Sequence, residues 1–190
     1  EDFCTGSVRN NISWNQAAAY RDQTDTDLYA KDMYALGMYY NTALIGIETN
    51  FDSHPTKELA FQRYPKQYVR QQLDKIGEDV VEKFGWLTNK VSRPLLVGEH
   101  VELAREHIET FNDATLLEEM LTFVRNEKGR PQAQEGSNDD TIVADGIALQ
   151  IRDQQTFRIV QPPPEKKFLP WALRDDEPAE MEGRRAWKKW

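Results

Sequence analysis

The 190-residue chain is long enough for one domain with a substantial core, and its 39% hydrophobic and 29% charged residues are typical of globular proteins. Its formal net charge of −8 excludes a broadly basic nucleic-acid-binding protein, so any contact with nucleic acid would use local Lys/Arg patches. Cys4 is the single cysteine, which excludes an intrachain disulfide and favours a reducing compartment. Apolar runs are far shorter than the roughly 20 residues that span a bilayer, so we predict no membrane association.

The first third of the chain predicts a strand hairpin, a helix and a buried strand. Residues 2–9 and 14–21 are expected to pair, because Asn10-Asn11 between them favours a turn. Residues 26–40 have helical apolar spacing. The continuous apolar run 43–47 is typical of a strand buried on both faces, and it leads directly into Glu48. This order predicts a layered α/β architecture.

The remaining pattern predicts shorter elements up to residue 152. We predict helices at 55–62, 92–107 (capped by Ser92), 112–120 and 139–152, strands at 68–70, 108–111 and 121–125, a possible partner for the last strand at 131–134, and a loop-like or weakly helical stretch at 74–85. Residues 1–152 are therefore expected to form one domain. Residues 153–190 are rich in proline and charge, which predicts a flexible C-terminal tail.

Paired carboxylates occupy the start of the last predicted helix. Asp139 and Asp140 directly follow a Gly-Ser-Asn turn, where Asn138 or Asp139 can cap the helix and acids in the first turn suit its dipole. The same pair can instead bind a divalent metal, provided that another rigid element supplies a further carboxylate. Glu48 is such a candidate, because ligand sites collect at the carboxyl ends of strands in α/β sheets. It can also be merely the first polar residue after the strand.

Carboxylates of this kind suit two Mg²⁺ or Mn²⁺ ions, since hard cations prefer oxygen ligands and zinc would call for His or Cys. Two such ions about 4 Å apart can activate a water and stabilise the leaving oxygen in phosphodiester cleavage.

An ordered set of motifs resembles the nuclease domain of the terminase large subunit of tailed bacteriophages, the viral DNA-packaging motor. Residues 2–152 carry the similarity. The matching pieces, in the family's order, are Leu36-Gly37-Met38-Tyr39-Tyr40-Asn41 before Ala43-Leu44-Ile45-Gly46-Ile47-Glu48-Thr49-Asn50, Gly85-Trp86-Leu87-Thr88-Asn89 before Ser92-Arg93-Pro94-Leu95-Leu96, Leu117-Glu118-Glu119-Met120-Leu121-Thr122-Phe123-Val124, and Gly136-Ser137-Asn138-Asp139-Asp140.

The resemblance implies an RNase H-like mixed sheet flanked by helices and metal-dependent endonuclease cleavage of double-stranded DNA. It places catalysis and metal binding on Glu48, Asp140 and Asp139, with Asp140 favoured as the direct ligand. It also implies a viral protein in the host cytoplasm, with the portal and the small terminase subunit as partners. Lys90 and Arg93, beside the Gly-Trp turn, are candidate phosphate contacts, although a solvated helix start explains them equally well.

Three departures qualify the resemblance. The family's first catalytic Asp would lie on a strand upstream of Glu1, Asn138 replaces the usual His, and no Gly-x4-Gly-Lys-Ser/Thr phosphate loop occurs. The alternatives are another RNase H-like nuclease of resolvase or transposase type, and a catalytically incomplete fragment that binds DNA or the portal. Among the remaining polar residues, we expect His100 and His107 at the surface and do not count Asp145 as a ligand.

Overall fold

Five α-helices and three pairs of strands are present in a computed structural model that describes residues 3–73, 80–125, 129 and 131–155. In chain order the elements are β1 (Cys4–Arg9), β2 (Gln16–Asp22), α1 (Thr26–Tyr39), α2 (His54–Phe61), β3 (Val69–Leu73), β4 (Val80–Phe84), α3 (Ser92–Glu106), α4 (Ala114–Leu121), β5 (Phe123–Arg125), β6 (Pro131–Ala133) and α5 (Asp140–Gln150), with short 3₁₀ turns at Ile108–Thr110 and Arg152–Gln154. The predicted α/β class is confirmed. Most of the predicted tail, from residue 156 onward, lies outside the described residues.

The strands do not form the extended mixed sheet that we predicted. In the described part of the chain they make three separate two-stranded antiparallel sheets, β1–β2, β3–β4 and β5–β6. The apolar run 43–47 is extended, but it forms only isolated parallel bridges, at Ile45 with Gln67 and at neighbouring Glu48 with Trp86. A strand ladder needs a continuous neighbour, and this run meets two short pieces of chain instead.

The β1–β2 hairpin confirms the predicted pairing of the first two strands. Its register runs from Cys4 opposite Asp22 to Arg9 opposite Gln16, with an irregularity between Val8 and Arg9. The Asn10 side chain accepts hydrogen bonds from the backbone N–H groups of Ile12 (2.9 Å) and Ser13 (3.1 Å). This Asx-type turn is the reason the chain reverses here.

Helix α5 is the hub of the domain, because it packs against β1, α3 and α4. Its residues Ile142 and Leu149 belong to a core cluster with Leu103, Phe111 and Leu116, and Ile147 belongs to another with Trp86 and Leu96. Gly146 permits the close approach to α3, since a Cβ at this position would lie 3.2 Å from the Leu96 Cβ. The position of the first turn of α5 is therefore fixed by the core.

Two local predictions were wrong. Residues 80–84 form strand β4, which pairs with β3, because the β-branched Val80 and Val81 favour an extended chain; residues 74–79 lie outside the described residues. Residues 108–110 form a 3₁₀ turn instead of a strand. The Thr110 N–H and hydroxyl both donate to the His107 carbonyl, at 3.0 and 2.8 Å, and this tightens the chain. Among the described residues, no helix has the length and apolar character needed to cross a membrane.

Candidate functional site

A cleft of about 1400 Å³ lies between β1 and the extended segment 43–50, with residues of α1 and α5 in its walls. All five residues that the sequence singles out line this cleft: Glu48, Lys90, Arg93, Asp139 and Asp140. They come from three regions far apart in sequence. The fold therefore brings the predicted acids and the predicted basic residues to one concave surface.

Glu48 is fixed by the backbone around it. Trp86 N–H donates to the Ile47 carbonyl at 2.7 Å, and Thr49 N–H donates to the Trp86 carbonyl at 2.9 Å. The preceding Gly85 has φ +83°, and a Cβ there would lie 2.7 Å from the Ile47 oxygen. Only glycine accommodates both this conformation and this approach, so the Gly-Trp turn clamps the segment that carries Glu48.

The loop after the Gly-Trp turn holds the basic residues at the edge of the cleft. The Asn50 side-chain amide donates to the Thr88 carbonyl, and its oxygen accepts from the Thr88 N–H at 2.8 Å. The Asn89 side-chain oxygen accepts from the N–H groups of Val91 (2.8 Å) and Ser92 (3.0 Å) just before α3. Ser92, which we predicted as the cap, is the first residue of the helix. Lys90 is exposed on this loop.

Arg93 forms an ion pair with Asp139. The Arg93 side chain is 33% exposed and the Asp139 side chain 22% exposed, so the pair is partly accessible to solvent. The guanidinium predicted to contact DNA phosphate therefore lies against a predicted metal ligand. A cation bound in this way competes with a metal ion for the Asp139 carboxylate.

Helix α5 begins at Asp140, and Asp139 occupies the N-cap position without a side-chain capping bond. The capping group is Glu119 of α4, which is 7% exposed. One of its carboxylate oxygens accepts from the N–H groups of Thr141 (3.0 Å) and Ile142 (3.3 Å) and from the Thr141 hydroxyl. Asp139 therefore occupies the N-cap position as predicted, but the side chain that accepts the hydrogen bonds of the first helical N–H groups is Glu119.

Thr5 of β1 bonds to both α5 and α1. Its hydroxyl donates to the Asp140 carbonyl at 3.1 Å, and its own carbonyl accepts from the Tyr29 hydroxyl at 2.9 Å. Burial raises the pKa of Tyr29, and the negative charge of Glu48 contributes to the rise. The first turn of α5, at Asp140, therefore lies beside the Thr5 end of β1.

The oxygen donors of this cleft suit Mg²⁺ or Mn²⁺ in kind but not in number. Across residues 3–73, 80–125, 129 and 131–155, no group of three or more His, Cys, Asp or Glu side chains is placed to hold a metal ion. The residues described thus offer at most part of a ligand set.

A buried charge cluster that we did not predict joins α5 to β1 and α3. Asp145 of α5 has no exposed surface. Arg9 contacts both of its carboxylate oxygens, at 2.8 and 2.6 Å, and the Ser7 hydroxyl also donates to it. His100 Nε2 lies 2.7 Å from Asp145 Oδ2, although the ring N–H is not aligned for a hydrogen bond.

The cluster corrects the expectation for His100, which is 3% exposed and not on the surface. Burial alone would raise the pKa of Asp145, but the contacts with His100 and Arg9 outweigh burial and lower the pKa to about 2. A sequence signal did exist. Asp145 is the one charged residue inside an otherwise apolar helix, and a charge at such a position requires a buried partner.

Comparisons of the chain with protein-family models, with curated proteins and with solved structures gave no match. The terminase resemblance therefore remains a prediction.

Proposed function

We propose that this chain is the nuclease domain of a viral DNA-packaging terminase large subunit, with an RNase H-like fold, and that it cuts double-stranded genomic DNA. The observation that carries the proposal is that Glu48, Asp139 and Asp140 line one cleft together with the basic residues Lys90 and Arg93. Acidic ligands beside basic phosphate contacts are the combination that metal-dependent phosphodiester cleavage requires.

The proposal assigns a role to each residue. Glu48 and Asp140 would hold Mg²⁺ or Mn²⁺ together with a further acid, and the bound ions would supply the activation of water. Exposed Lys90 would contact a DNA phosphate at the mouth of the cleft. Arg93 positions Asp139 through their ion pair. The portal and the small terminase subunit enter as partners through the resemblance alone.

A second candidate is a catalytically incomplete fragment that binds DNA or the portal. It is favoured by the finding that the described residues hold no group of three metal-ligating side chains. Its ion pair between Arg93 and Asp139 would then be a permanent structural feature.

Plasmid nicking in the presence of Mn²⁺ tests the proposal. We expect weak cutting by this chain, because its described ligand set is partial, and loss of that cutting in Asp140→Ala and Glu48→Ala. Glu118→Ala is the matched control, since Glu118 is an exposed acid of α4 that does not line the cleft. Strong Mn²⁺-dependent cutting that survives Asp140→Ala would overturn the site assignment, and no cutting by any variant would favour the incomplete fragment.

A further inference from the structure

An aromatic side chain projects into solvent at the rim of the cleft, close to Glu48. Phe51 is 99% exposed, although burial of a Phe side chain would stabilise the fold. Its loop is joined to the loop after the Gly-Trp turn, because the Asn50 side chain bonds to both the carbonyl and the N–H of Thr88. Val91, on that second loop, is also largely exposed. The rim therefore presents apolar side chains from two loops that are tied together.

The backbone on both sides of Phe51 is fixed. Asn50 precedes it and is held by the bonds to the second loop. Asp52 follows it, and Asp52 Oδ1 accepts the His54 N–H at 2.8 Å at the start of α2. This hydrogen bond lowers the pKa of the Asp52 carboxyl. A side chain on a backbone that is already ordered loses less conformational entropy on binding, so Phe51 is prepared for contact with a partner.

Phe51 belongs to the same cleft as the candidate site. Phe51, Glu48 and Lys90 all line it. Phe51 lies three residues after Glu48, and three residues of chain span at most about 10 Å. Successive base pairs of a duplex are about 3.4 Å apart. The backbone of Phe51 would therefore lie within about three base-pair steps of a phosphate at Glu48.

A single projecting ring beside a lysine suits a DNA duplex better than another protein. A stable protein interface takes about 800 Å² from each partner, in a closely packed surface. Insertion between base pairs needs one apolar side chain, and Phe is among those that proteins use for it. Lys90, exposed on the loop joined to that of Phe51, supplies positive charge for the phosphates on either side.

We propose that Phe51 is a wedge that inserts between two base pairs, from the minor groove of a duplex bound at the cleft. The inference rests on the proposed function, since it takes double-stranded DNA as the substrate. Insertion unstacks one base step and bends the duplex toward the major groove. Pyrimidine–purine steps unstack most easily. Phe51 thus directs binding, and with it cleavage near Glu48, to deformable steps without reading the edges of the bases.

Binding of labelled duplexes without divalent metal tests the wedge separately from cutting. Each duplex has about 20 base pairs, two helical turns, and carries 2-aminopurine at one TA step. We expect Phe51→Ala to weaken binding by about tenfold, because a stacking contact is lost. It should also abolish the rise in 2-aminopurine fluorescence that reports unstacking with the wild type. Phe61→Ala is the matched control, since Phe61 is 83% exposed and does not line the cleft.

Two further measurements distinguish a wedge from a phosphate contact. Phe51 is uncharged, so Phe51→Ala should leave the salt dependence of binding unchanged, whereas Lys90→Ala should reduce it. A mismatched step is already partly unstacked, so the wild type should bind a duplex with one mismatch about fivefold more tightly than the matched duplex. Phe51→Ala should lose this preference, and Phe51→Leu should retain part of it, because leucine also serves as a wedge.

The outcomes separate this inference from the proposed function. Equal behaviour of Phe51→Ala and Phe61→Ala on every duplex overturns the wedge and leaves the proposed function standing. A wild type that binds none of the duplexes overturns both. Loss of self-association in Phe51→Ala with unchanged DNA affinity, measured by analytical ultracentrifugation, also overturns the wedge, because Phe51 would then contact a second copy. Since Phe51 is almost fully exposed, its variants should unfold at the wild-type temperature.

Discussion

Asp145 carries a charge with no exposed surface, and its neighbours explain why the fold tolerates it. Arg9, itself 4% exposed at its side chain, meets the carboxylate with two nitrogens and lies 4.4 Å from the centre of the Phe111 ring. A pair of this kind gains little over an apolar core, yet removal of one partner leaves an uncompensated buried charge. The cluster therefore mainly favours this packing of β1, α3 and α5, because another arrangement would leave a buried charge without its partner.

The Asp145→Asn variant should lose about 3 to 5 kcal/mol of unfolding free energy near neutral pH, because Arg9 is left buried without a counter-charge. The pKa of Asp145 is lowered from 3.8 to about 2, so ionisation stabilises the fold above about pH 4, and this contribution is lost as the pH falls toward 2. The shift corresponds to about 2 kcal/mol. Urea unfolding of the wild type and the Asp145→Asn variant at pH 6, 4 and 3 should show a difference in unfolding free energy that decreases on acidification. Asp153→Asn, at an exposed acid, is the control. A difference that does not change with pH would contradict this prediction.

Helices and strands with a regular local spacing of apolar residues could be predicted from the sequence, whereas structure that depends on residues far away in the chain could not. Helix α1 and the hairpin β1–β2 follow from local spacing and turn chemistry, and α4 begins where Asp113 accepts from the Thr115 and Leu116 N–H groups. The run 43–47 has strand composition, but whether it forms a ladder depends on neighbours that the pattern does not specify. The cap of α5 by Glu119 is invisible for the same reason, since the two helices are separated by 18 residues.

Two glycines offer a matched pair of substitutions. Gly85→Ala should destabilise the protein by about 2 kcal/mol or more, because its φ is +83° and the new Cβ would meet Ile47 and Thr49. Gly98→Ala should stabilise it by about 0.5 to 1 kcal/mol, since Gly98 lies exposed inside α3 with no atom within 4 Å of a Cβ. Thermal unfolding of both variants measures the difference. Equal effects would show that the Gly-Trp turn does not clamp the Glu48 segment.

At the scale of the whole molecule, the sequence singled out five residues that the fold brings to one cleft, but it did not indicate their interactions. All five singled-out residues line one cleft, because buried strand ends and helix starts are places where polar side chains emerge. The Arg93–Asp139 pair and the buried Asp145 cluster each join residues more than 40 positions apart. Such pairs depend on tertiary packing, which no local pattern encodes.

The net charge of −8 sets an expectation for DNA binding by the whole chain. Contact limited to Lys90, since Arg93 is paired with Asp139, would release about one counterion, so the logarithm of the binding constant should fall with the logarithm of salt with a slope of about −1. Lys90→Ala should reduce that slope by about 1, whereas Lys57→Ala, exposed on α2 and outside the cleft, should leave it unchanged. Fluorescence anisotropy with a labelled duplex measures the slope. A slope unaffected by Lys90→Ala would place DNA elsewhere.

Asp145 lies on the helix that Asp140 begins and Asp139 precedes, and this bears on how the sequence can vary. Arg9 and His100 come from two other elements and both pair with Asp145, so a change at Asp145 leaves Arg9 buried without a counter-charge. Asp145 can therefore be replaced only together with Arg9. Asp139 and Asp140, one turn or more away on the same helix, can change singly without emptying the core. A mutational scan scored once for abundance and once for activity would consequently divide one helix into two sets of positions, with the boundary inside its second turn.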